Sequence, residues 1–206
     1  MQTLVSGCTN RRMDDYTLGI IWSIGSYQEN RFVFKHRDRY YLEQIQKRFG
    51  NTIYEQIGTT GKSQFVLKTA QLKPEDLYGW SERNAQKRDI PGLTRYNDFL
   101  RAYFEIHSAL GYHTAYGRKK QKKYKRLRLR VYGNYFLIKS MNDILSDSKA
   151  DRKSIQRVNS NNTTAYLQYT SLNEIIAILN WITGNPCNKE FWDDIDRKIS
   201  EPIKYK

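Results

Sequence analysis

Two cysteines among 206 residues, Cys8 and Cys187, stand far apart and in no CxxC or Cys/His spacing. Their scarcity excludes a disulfide framework and a zinc site, and makes a reducing cytoplasm the simplest home to expect. No window approaches the roughly 18 uninterrupted apolar residues that a membrane span requires. The first residues place Arg11 and Arg12 before Asp14 and Asp15 and lack a signal-peptide core, so the expectation is a soluble, unexported protein. The chain also has no glycine-rich phosphate loop and no Ser/His/Asp or Cys/His set for nucleophilic catalysis. Acids are missing from one stretch in particular: Arg118 to Arg130 holds nine basic residues and no carboxylate.

What is abundant is positive charge. Lys and Arg number 35 against 21 Asp and Glu, a formal net charge of +14. The excess is local: residues 1–98 carry 15 basic and 11 acidic side chains, residues 99–206 carry 20 and 10. A concentrated basic segment is the footprint of a polyanion binder. A solvated basic loop is the plainer alternative. The alternation of Arg126, Arg128 and Arg130 with Leu127, Leu129 and Val131 builds the charge into one face of a strand, which favours nucleic acid.

The chain reads as one pattern made twice. Tyr16 to Ile24 is a short apolar helix that ends at Gly25-Ser26, with Asp14 and Asp15 at its start. Gly19 and Ser23 give it a small-residue face. A tight hairpin follows, with return strand Arg31–Lys35, then a helix from Asp38 to Phe49 stopped by Gly50. A second hairpin pairs 52–57 with 63–69, and Pro74 to Trp80 is expected as a third helix. Residues 81–98 are expected as a linker. The order then recurs: a helix at 99–107 with Ala102 where the first copy has Gly19, a hairpin of strands 111–117 and 125–131, a helix at 135–145, a hairpin of 154–158 and 163–169, and a helix at 172–182. The first hairpin is longer in this half, and the basic cluster lies within it. The expected organisation is a first repeat at 1–80, a linker at 81–98, a second repeat at 99–183 and an extension at 184–206.

This arrangement resembles the LAGLIDADG homing endonucleases in their single-chain, two-repeat form. The matching residues are Gly19, Ile21, Gly25, Ser26 and Tyr27 in the first motif and Leu100, Ala102 and Phe104 in the second, together with the run from His36 to Gly50. The resemblance implies an α+β fold of two pseudo-symmetric αββαββα repeats, with saddle-shaped antiparallel sheets and helices packed on the face away from DNA. It also implies that acids at the eighth motif positions hold divalent metal for phosphodiester hydrolysis. Ile24 and His107 stand at those positions here, and neither replaces a carboxylate toward Mg²⁺. Glu105, at the sixth position of the second motif, is the nearest acid, and its counterpart is Trp22.

The resulting expectation is a sequence-specific double-stranded DNA-binding protein that has lost cleavage, works without a cofactor as a monomer, and acts as a transcriptional or phage-type regulator in the cytoplasm or on the nucleoid. By the resemblance, DNA-contacting candidates are Arg31, Lys35, Lys62, Gln64 and Lys68 in the first half. In the second half they are Lys125, Arg126, Arg128, Arg130, Gln156, Arg157, Tyr166 and Gln168, with Arg118, Lys119, Lys120, Lys122 and Lys123 toward phosphates at the hairpin tip. Three alternatives stand beside it: an endonuclease using displaced acids such as Glu105 with Mg²⁺, a maturase-like factor on structured RNA, and a protein-interaction module. The last calls for apolar open sheet faces, which the strand pattern does not offer.

Overall fold

A computed structural model describes residues 13–58, 61–77, 79–82, 85, 88–116, 123–158 and 163–200. Helix α1 (Asp15–Ile24) starts where the Asp14 carboxylate accepts the Thr17 amide at 2.8 Å. The chain passes directly into β1 (Gly25–Gln28) and turns through Glu29 and Asn30, whose positive φ values of 48° and 59° are those of a two-residue hairpin turn, into β2 (Arg31–His36). Helix α2 (Arg39–Phe49) is capped by Asp38, which accepts the Tyr40 amide at 2.9 Å, and stops at left-handed Gly50. Strands β3 (Ile53–Ile57) and β4 (Ser63–Thr69) complete a four-stranded antiparallel sheet in the order β1-β2-β4-β3.

The second half repeats this plan. Helix α3 (Asn97–His107) leads into β5 (Ser108–Tyr116) and β6 (Lys123–Asn134), then α4 (Tyr135–Ile144), β7 (Gln156–Arg157), β8 (Thr164–Tyr169) and α5 (Leu172–Ile182). Its sheet has the matching order β5-β6-β8-β7. A last helix, α6 (Lys189–Ser200), lies against β5, where the Tyr112 hydroxyl donates to the Lys198 carbonyl at 2.6 Å. The mixed α+β architecture with two antiparallel sheets is the one expected.

Three elements differ from expectation. The third helix of the first half is only a 3₁₀ turn, Pro74–Asp76, because the backbone already leaves the helical region at Leu77, with φ −118° and ψ 54°. Strand β5 begins at Ser108, three residues early. Ser108, Ala109 and Gly111 have little intrinsic strand preference, and pairing along β6 from Ser108↔Val131 to Tyr116↔Lys123 supplies what propensity does not. Strand β7 is two residues long instead of five, paired to β8 only at Gln156↔Tyr166 and Arg157↔Ala165.

Helices α1 and α3 pack against each other at the centre, and one contiguous core of buried apolar side chains, among them Leu18, Ile20, Phe34, Leu42, Phe99, Phe104, Leu129 and Ile178, joins both halves. The side chains of α2, α4 and α5 cover one face of each sheet. The opposite faces are left open, and they set where chemistry can happen.

Candidate nucleic-acid interface

Register decides which side chains share a face, because residues directly opposite in an antiparallel pair point the same way. In the first sheet, Ser26↔Val33↔Lys68 and Lys35↔Val66↔Tyr54 lie on the side away from Phe32, Phe34 and Leu67. That open face therefore carries Ser26, Gln28, Arg31, Val33, Lys35, Tyr54, Gln56, Gln64, Val66 and Lys68. Lys68 Nζ rests 6.0 Å from the centre of the Tyr54 ring, and Lys62 is exposed beside the start of β4.

In the second sheet, Arg126↔His113, Arg128↔Gly111, Arg130↔Ala109 and Arg130↔Gln168 fall on the open side, followed by Tyr132↔Tyr166↔Gln156 and Asn134↔Thr164. Leu127, Leu129 and Val131 turn to the core. The polar residues are tied to one another: Arg130 Nε donates to Gln168 Oε1 at 2.7 Å, its guanidinium lies 4.9 Å from the Tyr166 ring centre, and the Tyr166 hydroxyl donates to Gln156 Oε1 at 2.5 Å. Arg126 Nε donates to the Thr170 carbonyl at 2.8 Å. His113 sits among the three arginines, and loss of solvent together with the charges of Arg128, Arg126 and Arg130 holds its imidazole below the ordinary range.

Two candidates fall elsewhere. Arg157 pairs with core-facing Ala165 and stacks its guanidinium 4.8 Å from the Tyr135 ring, so it belongs to the helix side of the sheet. Lys125 pairs with Thr114 in the same register as Leu127 and is exposed at the outer end of the strand. Arg118, Lys119, Lys120 and Lys122 lie outside the described residues. Lys123 is placed in β6 by its backbone alone. Reading by motif missed Gln28, Tyr54, Gln56, His113 and Tyr132. Tyr132 was within reach, since the alternation that marks Arg126 to Arg130 continues past Val131.

Neither open face carries a carboxylate on its described strand positions. Glu29, in the β1–β2 turn, bonds Arg31 at 3.2 Å.

At the feet of the two central helices, Ile24 and His107 are the last residues of α1 and α3. His107 Nε2 stands 3.2 Å from the Ser23 carbonyl oxygen, and its ring lies 4.5 Å from that of Tyr103. Arg88 reaches in from the segment between the repeats and donates to the Trp22 carbonyl. Ile24 has no donor atom and one imidazole is a poor ligand for a hard divalent cation, so these two positions do not fit Mg²⁺. No group of three or more His, Cys, Asp or Glu among the described residues is arranged to hold a metal ion.

Glu105 is not at that site. Its side chain is buried, where Oε2 accepts from the Tyr16 hydroxyl at 2.5 Å and Oε1 accepts from Trp192 Nε1 at 2.7 Å and from the Asn188 amide at 3.2 Å. Burial raises its carboxyl above the ordinary range against the pull of those three donors and of Arg101. Arg101, also buried, donates to the carbonyls of Pro186 and Ile182 at 2.8 and 3.1 Å and pairs with Asp98 at 2.7 Å. Together these two charged residues of α3 fasten the segment leading into α6.

Neither a protein-family profile nor a curated protein sequence matches the chain. Solved structures do. I-SmaMI, a LAGLIDADG homing endonuclease bound to cleaved DNA, superposes with a TM-score of 0.60 at 13% identity over 89% of this chain and 87% of that one. The LAGLIDADG homing endonuclease I-LtrWI, bound to target DNA, gives 0.60 at 14% over 90% and 88%. A third, I-GzeII in complex with its DNA target, gives 0.56 at 11% over 91% of both chains. The chain has the two-repeat LAGLIDADG fold. At these identities the likeness is one of fold, and it accounts for the paired central helices and the two open sheets.

The likeness also corrects one expectation. Replacement of the two motif acids led to the reading that the chain is not an enzyme, yet these LAGLIDADG-fold neighbours are homing endonucleases, which are nucleases. Ile24 and His107 describe two positions and do not demonstrate the loss of a catalytic site. The cofactor expectation is open in the same way, since I-SmaMI has also been captured on uncleaved target with calcium ions. No described helix is long and apolar enough to cross a membrane.

Proposed function

We propose that this chain is a sequence-specific double-stranded DNA-binding protein that lays the open faces of its two sheets along the major groove. The observation that carries the reading is the composition of those faces: they are rich in arginine, lysine, glutamine and tyrosine and carry no carboxylate at their described strand positions. A two-stranded ribbon fits the major groove, where Arg and Gln side chains can pair with base edges while Lys holds phosphates. Contact is unequal between the halves. Strands β5 and β6 span nine and twelve residues against four and six for β1 and β2, so at about 3.3 Å per residue the second hairpin reaches roughly twice as far.

Strand cleavage is a second reading, favoured by the fold shared with endonucleases. Because the residues at the helix feet do not fit a divalent cation, no step through one is assigned to them. One experiment addresses both readings: selection from a randomised duplex library, followed by incubation of the tightest ligand with Mg²⁺ or Mn²⁺. Enrichment of one long, asymmetric site supports the DNA-reading function, and strand breaks in it add the nuclease. Enrichment from a structured RNA pool with none from duplex DNA refutes it.

A further inference from the structure

The three arginines of the second open face are not held alike. Arg130 is clamped on two sides. Its Nε–H is committed to Gln168 Oε1 at 2.7 Å and its guanidinium lies over the Tyr166 ring, 4.9 Å from the centre. Tyr166 is itself held, by its hydroxyl on Gln156 at 2.5 Å and by the Tyr132 ring 5.4 Å away. On the other flank β5 presents only Ala109 opposite Arg130 and Gly111 opposite Arg128, so no side chain crowds the guanidinium from that side. What the clamp leaves over is the end of the group, the two terminal nitrogens with their parallel N–H bonds.

We infer that Arg130 reads a guanine edge in the major groove, with Gln168 and Tyr166 as the residues that position it. The inference rests on the duplex-DNA reading given under the proposed function. A fixed pair of parallel donors needs two adjacent acceptors. Guanine supplies O6 and N7; adenine sets an amino donor beside its N7, cytosine offers a donor, and thymine a single acceptor beside a methyl group. A planar fork held in advance loses little rotamer freedom on binding, so the discrimination is not spent on ordering the side chain. Arg126 differs, because its Nε is anchored to the Thr170 backbone at the outer end of the strand and it has no aromatic platform among the described residues. Phosphate contact is the use that suits it.

The test starts from the duplex that the wild-type protein selects. Each guanine in turn is replaced by 7-deazaguanine, which removes N7 and keeps the base pair, and affinity is measured for wild type, Arg130→Ala, Arg130→Lys and Gln168→Ala. At one position the modified base should weaken wild-type binding about 10-fold, within the range of a lost bidentate contact. At that position Arg130→Ala should be indifferent to the modification and bind all four base pairs about equally, while discrimination elsewhere persists. Arg130→Lys should keep only part of the preference and lose its dependence on Gln168, since an ammonium can donate to O6 and N7 but lacks the planar fork that Gln168 and Tyr166 hold. Gln168→Ala should relax the same position alone with an unchanged melting temperature, and Gln168→Glu, which keeps the acceptor, should restore it; a merely structural role would not act at one base. If Arg130→Ala weakens all sequences equally and lowers the salt dependence by about one phosphate, Arg130 is a backbone contact and the guanine assignment falls. A selected site that is indifferent to Arg130 at every position overturns this inference alone, whereas selection of no duplex site overturns the DNA reading with it.

Discussion

Gly19 of α1 faces Phe99 of α3 so closely that a Cβ built on it would stand 2.5 Å from the Phe99 carbonyl oxygen and 2.9 Å from the Ala102 side chain. This is the contact on which the two halves meet. In a helix, Gly→Ala alone would gain about 1 kcal/mol of propensity. Here the added methyl meets backbone, which cannot swing aside, so Gly19→Ala is expected to destabilise the protein by about 1–3 kcal/mol, as overpacking does. Urea unfolding measures it, and a gain in midpoint would refute the close packing.

Glu105 makes a pH prediction. Its carboxyl is raised by burial from the usual 4.5, so the folded state binds its proton more tightly than the unfolded chain. The stability this contributes is fully present below about pH 4.5 and is lost as pH rises through the higher folded value. Glu105→Gln keeps an acceptor for Trp192 and Asn188 and has no proton to lose, so the difference in unfolding free energy between variant and wild type should grow across that window and then level off. Glu105→Ala, which strands three donors, should cost about 2–4 kcal/mol near neutral pH.

Affinity for DNA should be lopsided. Arg126→Ala and Arg128→Ala are expected to weaken binding more than Lys35→Ala and Lys68→Ala, and hydroxyl-radical footprints should extend farther on one side of the site centre. Each lost phosphate contact should lower the slope of log affinity against log salt by about one. Equal losses from the two halves, with a symmetric footprint, would contradict the unequal reach of the hairpins.

His113, among Arg126, Arg128 and Arg130, should titrate below the usual 6.5 in the free protein. Phosphates brought alongside neutralise those arginines and favour the imidazolium, so proton uptake should accompany DNA binding and affinity should rise as pH falls through that range. Ring-proton NMR of free and bound protein checks both ends of the shift. His113→Gln should remove this component of the pH dependence.

The basic strand face is legible in the sequence because alternation is a local property: Arg126, Arg128 and Arg130 must share a side if Leu127, Leu129 and Val131 share the other. The helix stop at Gly50 and the acidic helix start at Asp14 and Asp15 were legible for the same reason. Glu105 was not. Its position in the motif made it the nearest acid to a catalytic site, and what decides its role is Trp192 and Asn188, more than eighty residues farther along the chain. Arg157 was assigned to the open face through its strand, and the pairing with Ala165 turned it to the helix side.

By itself the sequence determined the period of each element, the repetition of the pattern and the gathering of positive charge in one hairpin, since these depend on residues close to one another along the chain. Only the tertiary structure decided how α1 and α3 meet, which acids are buried, where β5 begins and how Arg130 is held. Those outcomes depend on cross-strand register, desolvation and packing between distant segments, whose energies exist only once the segments are brought together.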